Sequence, residues 1–134
     1  METPQTGART LLILTNLPDE ASAQALATTL VSARLAACVN MLAPCRSVYR
    51  WQDAIESAQE IPLLIKATET GYAALEAAIR AAHPYELPEI IAVPIAHGLP
   101  EYLSWVLTET RTETGTETCA ETTTATSFES PAAC

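Results

Sequence analysis

His83, Tyr85, Glu86 and Glu89 put an imidazole, a phenol and two carboxylates within the seven residues His83-Pro84-Tyr85-Glu86-Leu87-Pro88-Glu89. A neutral imidazole nitrogen is a borderline ligand suited to Cu²⁺ or Zn²⁺; at a helix end the same ring can instead hydrogen-bond free carbonyls. Cys38 offers either a soft thiolate, which prefers Cu(I), or a small buried hydrophobe. Lys66 is the one lysine in a chain that otherwise draws its positive charge from arginine. A compact ammonium there fits an anion site, or is simply a charge on a solvated face. Tyr49, Trp51, Glu60 and Lys66 would converge on one cleft if their segments pair as strands, joined by His83 and Tyr85 from the same or a neighbouring subunit. Aromatics at strand ends also serve as interface packing. Glu86 and Glu89 are too irregularly spaced for an acid/base pair.

Something must hold these groups in place. Pro84 and Pro88 each fix their own φ and keep His83 and Leu87 out of the helical region, so a helix stops near Ala82 and a stiff extended loop follows. Ile90 to Ile95 is short, β-branched and apolar, which predicts a strand buried on both faces or nearly so. Upstream, Thr10 to Thr15 reads as a strand. Asp19 to about Arg34 reads as a helix with an apolar stripe of Ala23, Leu26, Ala27, Leu30 and Val31. Ala36 to Trp51 predicts one long strand bent at Pro44, Gln52 to Gln59 a loop or hairpin tip, and Glu60 to Thr68 the returning strand. Thr70 is placed to cap a second helix carrying Tyr72, Leu75, Ala78, Ile79 and Ala82. Glu101 to Leu107, after Pro100, closes the fold as a short helix in which Tyr102 and Trp105 serve as packing anchors.

The order βαββαβ with a short C-terminal helix predicts an α+β, ferredoxin-like sandwich with a long β2-β3 hairpin. The domain spans about residues 8–108. Residues 109–134 are mostly Thr, Glu, Ala and Ser with one large apolar residue, Phe128, and are expected to remain a disordered tail. The sheet face away from the helices would be bare, and a body of this size gains from burying it against another subunit.

Acids outnumber bases by 16 to 7. With no basic stripe interleaved with aromatics, neither nucleic acid nor an anionic membrane is an expected partner; cations are. No apolar run approaches the length of a membrane span, and the N-terminus has no signal-peptide core, so a cytoplasmic protein is expected. Cys38, Cys45, Cys119 and Cys134 lack any C-x-x-C spacing, and reduced thiols are the expectation. No G-x-S-x-G, Walker loop or H-E-x-x-H is present.

Several stretches together resemble the CutA divalent-cation tolerance proteins. They are Leu35-Ala36-Ala37-Cys38-Val39-Asn40, Ser47-Val48-Tyr49-Arg50-Trp51, Glu60 through Lys66, His83-Pro84-Tyr85-Glu86-Leu87-Pro88-Glu89-Ile90 and Tyr102-Leu103-Ser104-Trp105. The resemblance covers about residues 10 to 107. It implies a compact homotrimer similar in architecture to PII signalling proteins, and a non-enzymatic function in which divalent metal, copper especially, is bound. His83, with Cys38 and Glu60, would be the metal contacts, and Tyr49, Trp51, Lys66 and Tyr85 would line the cleft. Some relatives carry a cysteine at the end of the first strand and a second histidine before the Pro-Tyr pair, where this chain has Thr15 and Ala82. The alternatives are a PII-like signalling or scaffold module that binds a small anionic metabolite near Lys66, and an enzyme using Lys66, Tyr85 and His83.

Overall fold

Two helices lie against one face of a sheet whose alternate positions are apolar, and the computed structural model describes this arrangement for residues 9–110. The elements run β1 (Thr10–Leu17), α1 (Glu20–Ser32), β2 (Cys38–Met41), β3 (Cys45–Trp51), β4 (Ala54–Thr68), α2 (Tyr72–Ala82), β5 (Ile91–Pro94) and α3 (Pro100–Glu109). The sheet order is β2-β4-β1-β5, with β3 paired to the outer half of β4. Every pairing is antiparallel, and each α-helical crossover skips one strand, which is the split βαβ of a ferredoxin-like fold.

Side chains alternate across a strand, so the odd positions of β1 and β4 share one face. Leu11, Ile13, Leu17, Ile61, Leu63, Ile65 and Ala67 are buried there beneath Ala23, Leu26 and Leu30 of α1 and Leu75 and Ile79 of α2. Even positions face the other way. Leu12, Leu14 and Leu64 are only half-buried, and Ile91 and Val93, cross-strand partners of Leu14 and Leu12, are half exposed beside them.

Local chemistry fixes the helix ends. Asp19 caps α1 by accepting the Ser22 amide at 2.8 Å. Past its end Arg34 adopts φ 62°, and its guanidinium donates to the carbonyls of Thr108 and Glu109, tying the last turn of α3 to α1. α3 begins at Pro100, buries Val106 fully and stacks Tyr102 on Trp105 with centroids 5.5 Å apart. The Tyr102 hydroxyl is buried without a hydrogen-bond partner among the described residues.

Five expectations need correction. The segment from Ala36 to Trp51 is two strands, because Leu42-Ala43-Pro44 leaves the ladder at a residue with no N–H to donate. Gln52 to Gln59 is mostly strand: Gln52 and Asp53, at φ 50° and 67°, form a two-residue turn whose twist suits a hairpin, so β4 begins at Ala54. The α2 cap is Gly71, whose amide donates to Thr68 Oγ1 at 3.4 Å, while Thr70 pairs with the Thr68 hydroxyl. β5 is exposed at all four positions, because it ends the sheet with only β1 beside it. Val31 stands at the edge of the α1 stripe and is exposed. Residues 111–134 of the expected tail, Cys119 and Cys134 with them, lie outside the described residues. No helix among the described residues is long and apolar enough to cross a membrane.

Candidate functional site

The β3–β4 ribbon projects beyond the sheet, and its register decides what it presents. Cys45 is opposite Glu60, Ser47 opposite Ala58, Tyr49 opposite Glu56 and Trp51 opposite Ala54, so all these side chains share one ribbon face. The loop of residues 83–90 runs along that face. Between them lies a cleft of about 910 Å³ lined by Asn16, Ser47 to Trp51, Glu60 and Pro84 to Glu89.

Asn16 fastens the loop at both ends. Its backbone carbonyl accepts from His83 Nε2 at 2.7 Å, and its side-chain amide donates to Glu89 Oε1 at 3.1 Å. His83 is the C-cap residue of α2, with ψ 135° as the following proline requires. The Tyr85 amide donates to His83 Nδ1 at 3.2 Å. An amide can only donate, so Nδ1 accepts and Nε2 carries the hydrogen given to Asn16: the ring is a neutral imidazole with both nitrogens engaged. Capping of helix carbonyls, one of the two readings of this residue, is therefore replaced by a bridge from β1 to the loop.

Tyr85 reaches into the cleft and donates its hydroxyl to Glu60 Oε2 at 2.9 Å. Glu60 is 7% exposed, an unusual setting for a carboxylate. Burial, then the hydrogen bond and charge of Glu60, with Tyr49 and Asp19 adding to them, push the Tyr85 phenol up to about 12. Among the described residues the only ion pair joins Arg9 and Glu69, so no cation neutralises Glu60 there.

The cleft thus unites Tyr49, Trp51, Glu60 and Tyr85, with Glu86 and Glu89 from the loop. Lys66 and Cys38 are elsewhere. Lys66 lies six residues along β4 from Glu60, about 20 Å at strand rise, directly opposite Cys38 on β2. Its ammonium donates to Asn40 Oδ1 and lies 3.6 Å from Cys38 Sγ, and burial lowers its pKa. Cys38 is disulfide-bonded, against the expectation of reduced thiols, and so lacks the thiolate that a soft cation would use; no sequence spacing announces that bond. Cys45 is free and half-buried beside Ser47 Oγ. Among the described residues no three His, Cys, Asp or Glu side chains cluster as a metal cage.

Asn16 falls outside the strand expected over Thr10 to Thr15, whereas β1 continues through Leu17. Ser47, Arg50 and Leu87 also line the cleft without having been expected there. Alternation along β3 is the signal for Ser47, which shares the parity of Tyr49 and Trp51.

The family model described as CutA1 divalent ion tolerance protein matches residues 11–109. The Divalent-cation tolerance protein CutA of Thermus thermophilus is 43% identical over 99 residues, 74% of this chain and 96% of that protein. Its counterpart in Pectobacterium atrosepticum is 39% identical over 101 residues, 75% of this chain and 92% of that one. Among solved structures, CutA from Xylella fastidiosa superposes with a TM-score of 0.75 at 48% identity, covering 77% of this chain and 99% of that one. CutA1 from Oryza sativa gives 0.77 at 34% identity, covering 81% and 100%. With a family match across almost the whole described region and such relatives, the chain belongs to the CutA1 divalent ion tolerance family.

Proposed function

We propose that the chain serves divalent-cation tolerance as a non-enzymatic homotrimer that binds a divalent ion, copper first, at the Glu60 end of the acidic cleft. The observation that carries this is the buried Glu60 carboxylate, which faces the cleft with a phenol as its hydrogen-bond donor and no cation beside it among the described residues. A buried carboxylate in that position is stabilised by an arriving cation. Glu86 and Glu89 add negative charge to the same cleft. His83 belongs to the reading as a support, since a metal would have to displace one of the two hydrogen bonds its ring already makes.

Assembly is supported by what one chain leaves uncovered. A two-stranded ribbon is at best marginal alone in water, yet this one exposes Val48 at 68% and Ile55 at 70%. The number three comes from the family resemblance.

Calorimetric titration of the full chain with Cu²⁺ tests the proposal. Saturable binding weakened at least tenfold by Glu60→Gln is expected. An unchanged isotherm in that variant removes Glu60 from the site, and a loss with His83→Ala alone would move the ion to the imidazole.

A second reading, a PII-like module for a small anionic metabolite, draws on Lys66. Its ammonium is half-buried with an amide oxygen as acceptor and no carboxylate within ion-pair distance among the described residues. A metabolite that raises the melting temperature of the wild type but not of Lys66→Met would favour it.

A further inference from the structure

We propose that the cleft between the ribbon and the 83–90 loop is a binding site for a small organic ammonium carried on an apolar, preferably aromatic, body, its charged head at Glu60 and its body along Tyr49 and Trp51.

Size is the first argument. A volume of about 910 Å³ lies within the range of pockets that enclose small organic molecules and far exceeds the needs of a bare ion. Lining is the second. Tyr49, Trp51 and Tyr85 are three of the few aromatic side chains the chain has, and they share this cleft with Pro84, Leu87 and Pro88. An aromatic face attracts an organic cation and buries its carbon skeleton, two contributions that a small hydrated metal ion would not exploit together.

Polarity along the cleft is the third. The ribbon register sets Glu60 at its inner end and Trp51 six strand positions from Glu60's partner Cys45, with Tyr49 between, so charge and aromatic surface follow one another on one face. At the inner end the buried carboxylate holds the Tyr85 hydroxyl through Oε2, and among the described residues no cation satisfies it. An ammonium has three N–H donors, which suits a carboxylate in such a place, and Glu86 and Glu89 keep the approach negative. Arg50 also lines the cleft, on the opposite parity of β3 from Tyr49 and Trp51, where it is exposed and makes no ion pair among the described residues.

The site shares Glu60 with the divalent-ion reading but not its ligand, so the two can fail separately. The test is a calorimetric titration of the full chain at pH 7 in excess EDTA with 2-phenylethylammonium, set against its neutral isostere 2-phenylethanol. Chelation removes divalent binding from the readout. The expected result is saturable binding of one ammonium per chain, at least tenfold tighter than the alcohol. In Glu60→Gln the preference for the ammonium should collapse. In Trp51→Leu, a change at a half-exposed ribbon end, both probes should weaken. Equal binding of the two probes, no saturable binding of the ammonium, or a preference that survives in Glu60→Gln would each overturn the proposal. A failed Cu²⁺ titration would leave it untouched.

Discussion

The Tyr85 hydroxyl and the Glu60 carboxylate meet at 2.9 Å across 25 residues of sequence, joining a proline-braced loop to the point where the β3–β4 ribbon leaves the sheet. Removing the donor leaves a buried acceptor unsatisfied, which costs more than the hydrogen bond itself contributes. Tyr85→Phe should therefore lower stability by about 1–3 kcal/mol, the usual range for an orphaned buried polar group. Urea denaturation measures it, and Glu60→Gln, whose amide oxygen can still accept, should lose less.

The same pair predicts an alkaline signature. Tyr85 holds its proton to about 12 in the folded chain, above the ordinary phenol value that applies when it is unfolded. A raised folded pKa contributes stability that is complete below the unfolded value and disappears as pH rises through the folded one. The difference in stability between wild type and Tyr85→Phe should thus be largest at pH 8 and shrink from about pH 10 towards 12. Denaturant midpoints of both proteins across that range would show it. A constant difference would mean that the phenol's proton is not part of what the loop gains. Other tyrosines with raised values, Tyr72 and Tyr102, are present in both proteins and cancel.

His83 is buried, and its ring bridges the Asn16 carbonyl and the Tyr85 amide. Ala at this position would leave the carbonyl without a donor and the loop without its anchor to β1, a loss of about 1–3 kcal/mol. The informative measurement is hydrogen exchange at the Tyr85 amide, which should lose protection in His83→Ala while the amides of β1 and β4 core positions keep theirs. Uniform loss across the sheet would show a general core role in place of a local brace.

What the sequence revealed here was what depends on near neighbours in the chain. Pro84 and Pro88 announced a stiff loop, and the odd-position run of β4 announced its core face. Tyr49, Trp51 and Glu60 share a face because strands that pair carry their side chains in register, whereas Lys66, expected beside them, stands at the far end of β4 opposite Cys38. Three things were not legible. Gln52 and Asp53 turn in two residues by adopting positive φ, which neither residue's type demands, so the polar run from Gln52 to Gln59 carries no sign of its strand. β5 is as apolar as an interior strand, and composition does not reveal that only β1 stands beside it. Asn16 acts through its backbone carbonyl as much as its side chain, and no residue pattern signals which carbonyl a distant histidine will find.

Uncovered apolar surface leads to a prediction about assembly. Ile91 and Val93 on β5 lie opposite Leu14 and Leu12, and together they leave an apolar strip on the sheet face away from the helices. Val93→Glu would put a charge into any contact that covers that strip, where an unpaired carboxylate is costly. Sedimentation should find the wild type as a trimer and the variant shifted towards monomer, with the variant's far-ultraviolet circular dichroism retained. A variant that assembles normally would show that this face stays in water and direct attention to Val48 and Ile55 on the ribbon.

Lys66 offers the most selective spectroscopic readout, because it is the chain's single lysine. Its ammonium sits over the sheet opposite Cys38, donates to Asn40 and is partly withdrawn from water, and burial lowers its pKa. Desolvation disfavours the charged form, so a lowered value means that the folded state holds this proton less tightly than the unfolded chain does. The contribution to stability is accordingly recovered, not lost, as pH rises through the lysine range. Reductive ¹³C-methylation labels this amine with a signal distinct from that of the chain's α-amine, and its chemical shift against pH gives the titration directly. The midpoint should fall below that of the same protein in denaturant. Asn40→Ala removes the acceptor that favours the charged ammonium and should lower the midpoint further; a midpoint equal to the denatured value would mean that solvent reaches Lys66 freely and that nothing at this end of β4 distinguishes it from a surface charge.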